Sequence, residues 1–261
     1  AVEFLNSTET LYVTGNNVFY GLIDNTSGTA SLVVSDVNDI DRQLLVGHKV
    51  TLEEENYIYD VLTLTEPTAE LILSPGSYTE AYRFSQGGTL TCNSGDIYLG
   101  DITDNYLKGT YVINGGFIEL QQDASHSLDL GADITMNGGD FHIYGGNGIS
   151  KWPVQVNGTN PTITMSGGLL FFAQQGIEIE NKAGDYMLAE DISGGTIKTN
   201  YSFYCRGADT YFSPSGGIVE LTGNTNTDCE MSGANTAFWI LKINKTGGAA
   251  VKNVVETNIQ E

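Results

Sequence analysis

Carboxylate and imidazole side chains, the groups best suited to acid–base or metal chemistry, are densest between residues 123 and 142. His126 and His142 lie there among four aspartates. A metal site needs ligands that converge on one point. However, His126 follows its preceding Gly-Gly pair by 11 residues and His142 follows its pair by 4, so the two do not align. We therefore predict solvated side chains here and assign no metal ligands.

Two further groups of aspartates have the oxygen ligands that calcium prefers. One group is Asp36, Asp39 and Asp41, and the other is Asp101 with Asp104. Neither follows the D-x-D-x-D-G loop pattern of a dedicated calcium site. We predict no cofactor, and weakly bound structural calcium stays open at either group.

Aromatic side chains are a separate candidate for binding, because the chain has 14 Tyr, 10 Phe and 2 Trp. They crowd its C-terminal third, where Tyr201, Tyr204, Tyr211 and Trp239 are the predicted contacts for a glycan or another partner. Exposed rings stack on the apolar C–H faces of sugars. The alternative is that these rings fill the core.

The charge balance excludes several classes of partner. The 261 residues include 11 Lys and Arg against 32 Asp and Glu, which gives a formal net charge of −21. Nucleic acids and anionic membranes both require a basic face. No apolar run approaches the roughly 20 residues of a membrane span. We predict neither nucleic-acid binding nor membrane insertion, and the start Ala1–Phe4 resembles a mature terminus left after leader removal.

A degenerate repeat predicts the fold. A small or polar residue followed by Gly-Gly and a short β-prone run recurs seven times, with first glycines at 87, 115, 138, 167, 194, 216 and 247. The steps average about 27 residues, within the range of solenoid repeats. Glycine permits a sharp corner at the same position of every coil. Alternation after the corner then directs Ile118 and Leu120 inward and Phe117 and Glu119 outward.

The resulting prediction is an all-β, right-handed parallel β-helix (β-solenoid) with coils of about 27 residues. A propeller is less suitable, since its blades typically take about 40–45 residues. Residues 1–80 fit the repeat poorly and are predicted to form an atypical N-terminal cap with the first irregular coils. Residues 81–261 are predicted to form regular coils in one continuous domain.

Two cysteines fall at similar places in successive coils. Cys205 lies 11 residues after Gly194, and Cys229 lies 13 residues after Gly216. This spacing permits either two buried thiols or a disulfide between Cys205 and Cys229. Cys92 leaves an odd count, which does not fit an obligatory disulfide framework.

Segments 192–197, 212–223 and 238–248 carry a family resemblance, the last reading F-x-x-L-x-I-x-K-x-G-G. They resemble secreted parallel β-helix (pectin-lyase-like) repeat proteins of Gram-negative bacteria, of the surface or adhesin type, often exported by the type IX route. The resemblance covers roughly residues 85–250 and implies an extracellular, cell-surface location. It is specific for architecture and says little about activity.

The same fold class includes polysaccharide lyases and hydrolases. Asn226-Thr227-Asp228 matches one short element of polygalacturonase-like enzymes, but their Asp-Asp, Gly-His-Gly and Arg-x-Lys elements do not accompany it. We predict no catalytic residues. The leading hypothesis is a non-catalytic structural or adhesive solenoid that self-associates through its terminal coils into a filament or matrix. The alternative is a carbohydrate-binding or polysaccharide-active β-helix, for which an exposed aromatic row beside carboxylates would be diagnostic.

Overall fold

The chain is a parallel β-solenoid of about 10 turns, spaced about 22 residues apart, which confirms the predicted fold class. The computed structural model describes residues 1–261 except 6–8, 103–105, 123–127, 146–149, 153, 156–158, 175, 183–184, 208, 234 and 256–261. Within the described residues the regular elements are strands, and there is no helix.

The first half of the chain contains fourteen strands among the described residues. In chain order they are β1 (Val2–Leu5), β2 (Leu11–Val13), β3 (Asn17–Asn25), β4 (Leu32–Val34), β5 (Asn38–Val46), β6 (Lys49–Leu52), β7 (Glu55–Leu64), β8 (Glu70–Leu73), β9 (Tyr78–Gln86), β10 (Thr89–Cys92), β11 (Asp96–Ile102), β12 (Tyr106–Leu107), β13 (Thr110–Ile113) and β14 (Phe117–Gln122).

Fourteen more strands follow in the described part of the second half. They are β15 (Asp129–Leu130), β16 (Asp133–Met136), β17 (Asp140–Gly145), β18 (Ser150–Trp152), β19 (Thr162–Met165), β20 (Leu169–Phe172), β21 (Ile177–Glu180), β22 (Ala189–Ile192), β23 (Thr196–Thr199), β24 (Phe203–Arg206), β25 (Ile218–Gly223), β26 (Thr227–Met231), β27 (Leu241–Lys245) and β28 (Val251–Val255).

The chain divides into two compact units. Unit 1 comprises Ala1–Asp104 and Gly109–Gln121, and unit 2 comprises Asn105–Lys108 and Gln122–Glu261. The predicted boundary after residue 80 lies inside unit 1. Residues 1–80 already form parallel turns, because β3 pairs with β5, β5 with β7 and β7 with β9.

Unit 1 has two strands per turn. Sheet 1A has the order β1-β3-β5-β7-β9-β11-β14, and sheet 1B has the order β2-β4-β6-β8-β10-β13. Several strands of sheet 1A are long, and their register shifts between Phe19 and Gly21 and between Ile58 and Val61. Such bulges bend a strand and re-aim its side chains.

Unit 2 has a third sheet. Sheet 2A has the order β17-β20-β23-β25-β27, sheet 2B the order β16-β19-β22, and sheet 2C the order β12-β15-β18-β21-β24-β26-β28. The turns therefore differ in length: Leu44 pairs with Leu62 in unit 1, whereas Phe141 pairs with Leu170 in unit 2. The predicted coil of 27 residues exceeds the overall spacing, because the Gly-Gly pairs mark only the turns from residue 87 onwards.

Aliphatic columns build the core, because the same inward position recurs in every turn. In sheet 1B, Val34, Leu52, Leu73 and Cys92 are paired in successive strands and have no exposed surface. Burying one such side chain contributes about 1.5–3 kcal/mol. The predicted alternation is confirmed, since Ile118 and Leu120 are fully buried and the flanking residues are not.

Candidate functional site

A ladder of aromatic rings crosses the outer face of sheet 1A. Its members are Tyr57, Tyr78, Tyr98 and Phe117, on the successive strands β7, β9, β11 and β14. Neighbouring ring centroids are 5.8, 5.4 and 5.4 Å apart. The rings are tilted by 40–51°, within the range of favourable aromatic contacts. All four are half-buried, so part of each ring faces solvent.

Strand register alternates these rings with carboxylates. Tyr57 pairs with Glu80, and Glu80 pairs with Tyr98 on the next strand. Tyr98 in turn pairs with Glu119. The adjacent outward column repeats the pattern with Tyr78 between Glu55 and Asp96. Each ring of these columns therefore has a carboxylate directly above or below it at strand spacing, about 4.8 Å.

Hydrogen bonds fix the tyrosine hydroxyls against the acids. Tyr57 donates to Glu55 over 3.3 Å, and Tyr78 donates to Glu80 over 3.2 Å. Desolvation and then the negative charge of Glu80 raise the pKa of Tyr78 to about 12. Desolvation, followed by the charges of Asp96 and Glu119, also raises the pKa of Tyr98. Both phenols therefore remain neutral hydrogen-bond donors well into the alkaline range.

Beside the ladder lies an open groove of about 390 Å³. Its lining residues are Tyr78, Glu80, Ala81, Tyr82, Tyr98, Leu99, Gly100, Asp101, Glu119 and Gln121. Tyr82 is 68% exposed and supplies a ring that other side chains leave uncovered. Gln121 donates to Glu119 over 2.7 Å and orients that carboxylate.

Gly100 is required for the floor of the groove. A Cβ atom at this position would lie 1.8 Å from the carbonyl oxygen of Tyr82. Tyr82 lies opposite the bulge of β7 between Ile58 and Val61. Tyr59 belongs to this bulge, and its side chain is 59% exposed. Glycine at position 100 therefore permits the close approach of β11 to the backbone of Tyr82.

The predicted contact residues lie elsewhere, in unit 2. Tyr201 lies between β23 and β24, Tyr211 between β24 and β25, and Trp239 between β26 and β27. All three are 38–45% exposed, but they belong to three different connections. Their role in binding stays a prediction, and they do not form a row along one strand position.

Tyr204, the fourth predicted contact, is only 7% exposed. The guanidinium carbon of Arg206 lies 3.7 Å from the centre of its ring, and its hydroxyl donates to Asp228 over 3.1 Å. Arg206 also binds Glu178 and Glu230 on the neighbouring strands. Because Arg206 covers one face of the ring, a sugar stacking on that face would have to displace it.

All three cysteines are buried. Cys205 pairs with Met231, while Cys229 pairs with Phe203, so the two thiols are offset by two residues on adjacent strands. Such a diagonal separates the Cα atoms by about 8 Å, beyond the usual span of a disulfide. The Cys205–Cys229 bridge stays a prediction that this register disfavours. Burial raises the pKa of Cys205 far above its ordinary value.

Two of the candidate calcium ligands accept hydrogen bonds from other groups of the chain. Asp36 accepts a hydrogen bond from the backbone of Gly15, and Asp39 accepts one from Tyr59. Asp101 lines the groove, and Asp104 lies outside the described residues. No cluster of three or more metal-ligating side chains occurs within the part of the chain that is described.

The Asn226-Thr227-Asp228 element holds turns together. Asn226 accepts a hydrogen bond from the backbone of Ala250, and Asp228 accepts the one from Tyr204. Thr227 is buried and pairs with Val251. Two of the three side chains thus contribute to contacts between successive turns of unit 2.

The ladder had a signal in the sequence that the prediction missed. Aromatic and acidic residues alternate at every second position, as in Glu55-Asn-Tyr57, Tyr78-Thr-Glu80 and Asp96-Ile-Tyr98. Alternation places both members on the outward face of a strand. The density of aromatic residues in the C-terminal third favours unit 2 instead.

Comparison of the chain with family models, with curated proteins and with solved structures gives no match. Within the described residues, no helix has the length and hydropathy of a membrane span. The site is therefore interpreted from its own geometry.

Proposed function

We propose that this chain is an extracellular, non-catalytic solenoid that binds a polysaccharide along the outer face of sheet 1A. The observation that carries the proposal is the aromatic ladder with a carboxylate beside each ring and an open groove along it. Sugar rings present C–H faces that stack on aromatics and hydroxyls that donate to carboxylates. The groove contains both the aromatic rings and the carboxylates that these two interactions require.

Tyr82→Ala tests this proposal. We expect the variant to bind soluble polysaccharide about threefold to tenfold more weakly, because one exposed stacking ring is removed. Tyr12→Ala is the matched control, since Tyr12 lies on sheet 1B and is 66% exposed against 68% for Tyr82. Affinity electrophoresis through gels containing different polysaccharides gives the measurement. Equal retardation of both variants by every gel that retards the wild type would refute the assignment of this face.

Binding without cleavage is part of the proposal. Rings and carboxylates that alternate over several turns are suited to holding a chain along its length. Incubation of the same protein variants with an oligosaccharide tests for catalysis, because cleavage would shorten the oligosaccharide. We expect the oligosaccharide to remain intact. If shorter products form with the wild type but not with a Glu80→Gln variant, the groove cleaves its ligand by hydrolysis or elimination and the non-catalytic proposal is wrong.

A second candidate is end-to-end assembly with a further copy of the chain. Leu241 and Ile243 pair with the buried Val219 and Leu221, yet Ile243 is 56% exposed, and among the described strands β27 has a neighbour in sheet 2A on one side only. An open edge strand is a template for pairing. In addition, β27 carries two lysines, whereas the outermost strand β1 of sheet 1A carries Glu3.

Ile243→Lys tests the assembly. A third lysine on β27 would place charge in the apolar contact, so we expect association to weaken by about tenfold or more. Sedimentation velocity over a concentration series gives the measurement. If wild type and variant remain monomeric at every concentration, the edge does not mediate self-association, and glycan binding by sheet 1A is unaffected by that result.

A further inference from the structure

The groove of sheet 1A presents negative charge to its ligand. Its ionisable lining side chains other than tyrosines are Glu80, Asp101 and Glu119. The three Lys and Arg residues in the described part of unit 1 are not among the lining residues. Arg83 pairs with Asp101 on the neighbouring strand but forms its ion pair with Asp60, and Lys49 binds Glu70. The third, Arg42, lies 5.8 Å from the ring centre of Tyr20. No described basic side chain of unit 1 therefore lines the groove.

We infer that the ligand of this groove is a positively charged glycan, a β-linked polymer of non-acetylated amino sugars. The inference rests on the proposed function and names its substrate class. An ammonium group is attracted both to carboxylates and to the faces of aromatic rings. A chain with net charge −21 repels uronic-acid polymers, which carry the opposite charge.

The length of the ladder favours a polymer over a single cation. Four rings on four successive strands recur every 5.4–5.8 Å, close to the length of one pyranose unit in an extended chain. Glu80 and Glu119 lie in the same outward column, separated by Tyr98. A glycan running across the strands would thus meet a ring at each turn and a carboxylate at alternate turns of this column.

Three hexasaccharides with the same β-1,4 backbone test the inference. At mildly acidic pH the glucosamine hexamer carries an ammonium at carbon 2, whereas the N-acetylglucosamine hexamer carries an amide and cellohexaose a hydroxyl. Titration calorimetry of the full chain is expected to show the glucosamine hexamer binding at least tenfold more tightly than the other two. Its affinity should also fall as salt increases, because charge interactions are screened.

Charge-neutral variants locate the effect. Glu80→Gln and Glu119→Gln preserve shape, and each is expected to weaken glucosamine-hexamer binding by up to about fivefold while leaving the neutral hexamers unchanged. Glu66→Gln is the control, because Glu66 is exposed between β7 and β8, away from the groove. Equal losses in all three variants would show a general effect of net charge and overturn the assignment.

The remaining outcomes separate this inference from the function on which it rests. Binding of cellohexaose as tight as that of the glucosamine hexamer, lost in Tyr82→Ala, would overturn the charge requirement and retain glycan binding. Hexalysine binding as tightly as the glucosamine hexamer would show an acidic surface without sugar recognition. If none of the hexasaccharides binds and the polysaccharide gels do not retard the chain, both proposals fail.

Discussion

Replacing Phe172 with alanine is expected to lower the free energy of unfolding by about 3–5 kcal/mol, because it empties a filled position of the core. Phe172 is fully buried and lies between Ile143 and Thr199 in an inward column of sheet 2A. The surrounding turns cannot collapse into the cavity without breaking the register of their strands. Urea denaturation followed by circular dichroism gives the change.

Its neighbour Phe171 is the matched control. Phe171 points outward, where its ring lies 5.2 Å from that of His142 and 5.0 Å from the ammonium of Lys198. Phe171→Ala removes a ring of the same size from a half-buried position, so we expect a loss of about 1 kcal/mol. Equal losses in the two variants would contradict the inward and outward assignment of this strand.

Gly168→Ala is expected to destabilise the chain by about 2–4 kcal/mol. Gly168 has a φ of +81°, where a side chain costs about 1–2 kcal/mol. A Cβ atom there would also lie 2.7 Å from the carbonyl oxygens of Gly138 and Gly139 in the preceding turn. Relieving that overlap moves two turns apart and adds a further cost of similar size.

Gly76→Ala separates the two costs. Gly76 has the same φ of +81°, but a Cβ atom there would meet nothing within 4 Å. We therefore expect only the conformational cost, about 1–2 kcal/mol, from the same urea titration. If Gly168→Ala were no more destabilising than Gly76→Ala, the close stacking of successive glycine corners would not contribute to stability.

The fold could be predicted because the feature that produces it, the glycine corner, is local and recurs along the sequence. The second glycines of the later pairs, such as Gly195 and Gly217, have positive φ and approach the carbonyl oxygens of the preceding corner. Only glycine satisfies both conditions, so the requirement is visible as Gly-Gly in the sequence. Inward positions were equally predictable, because β-strand alternation directs side chains such as Val219 and Leu221 to the core.

The turns of unit 1 were harder to predict for a physical reason. The connections from sheet 1B to sheet 1A, such as residues 35–37 between β4 and β5 and residues 53–54 between β6 and β7, contain no Gly-Gly pair. The repeat signal is therefore lost in residues 1–80, although their strands pair in parallel as the later ones do. The shorter pairing step from Leu44 to Leu62 also differs from the step between glycine pairs.

The ladder depends on register between turns, which the sequence does not state. Tyr57 and Tyr98 share one outward column, while Tyr78 belongs to the next, and only the pairing of β7, β9 and β11 brings their rings together. Taken alone, each of β7, β9 and β11 has the sequence pattern of an ordinary half-exposed strand with a tyrosine and an acidic residue. The density of aromatics near residue 204 was easier to notice, but Tyr204 lies beneath Arg206.

Chemical-shift perturbation of the aromatic rings by an added glucosamine hexasaccharide tests the central claim most directly. With ring-labelled tyrosine and tryptophan, assigned by single substitution, we predict that Tyr78, Tyr82 and Tyr98 shift on titration and that saturation transfers from their rings to the sugar. Tyr201, Tyr211 and Trp239 should remain unchanged. Perturbation confined to those three residues of unit 2, with none on sheet 1A, would contradict the account.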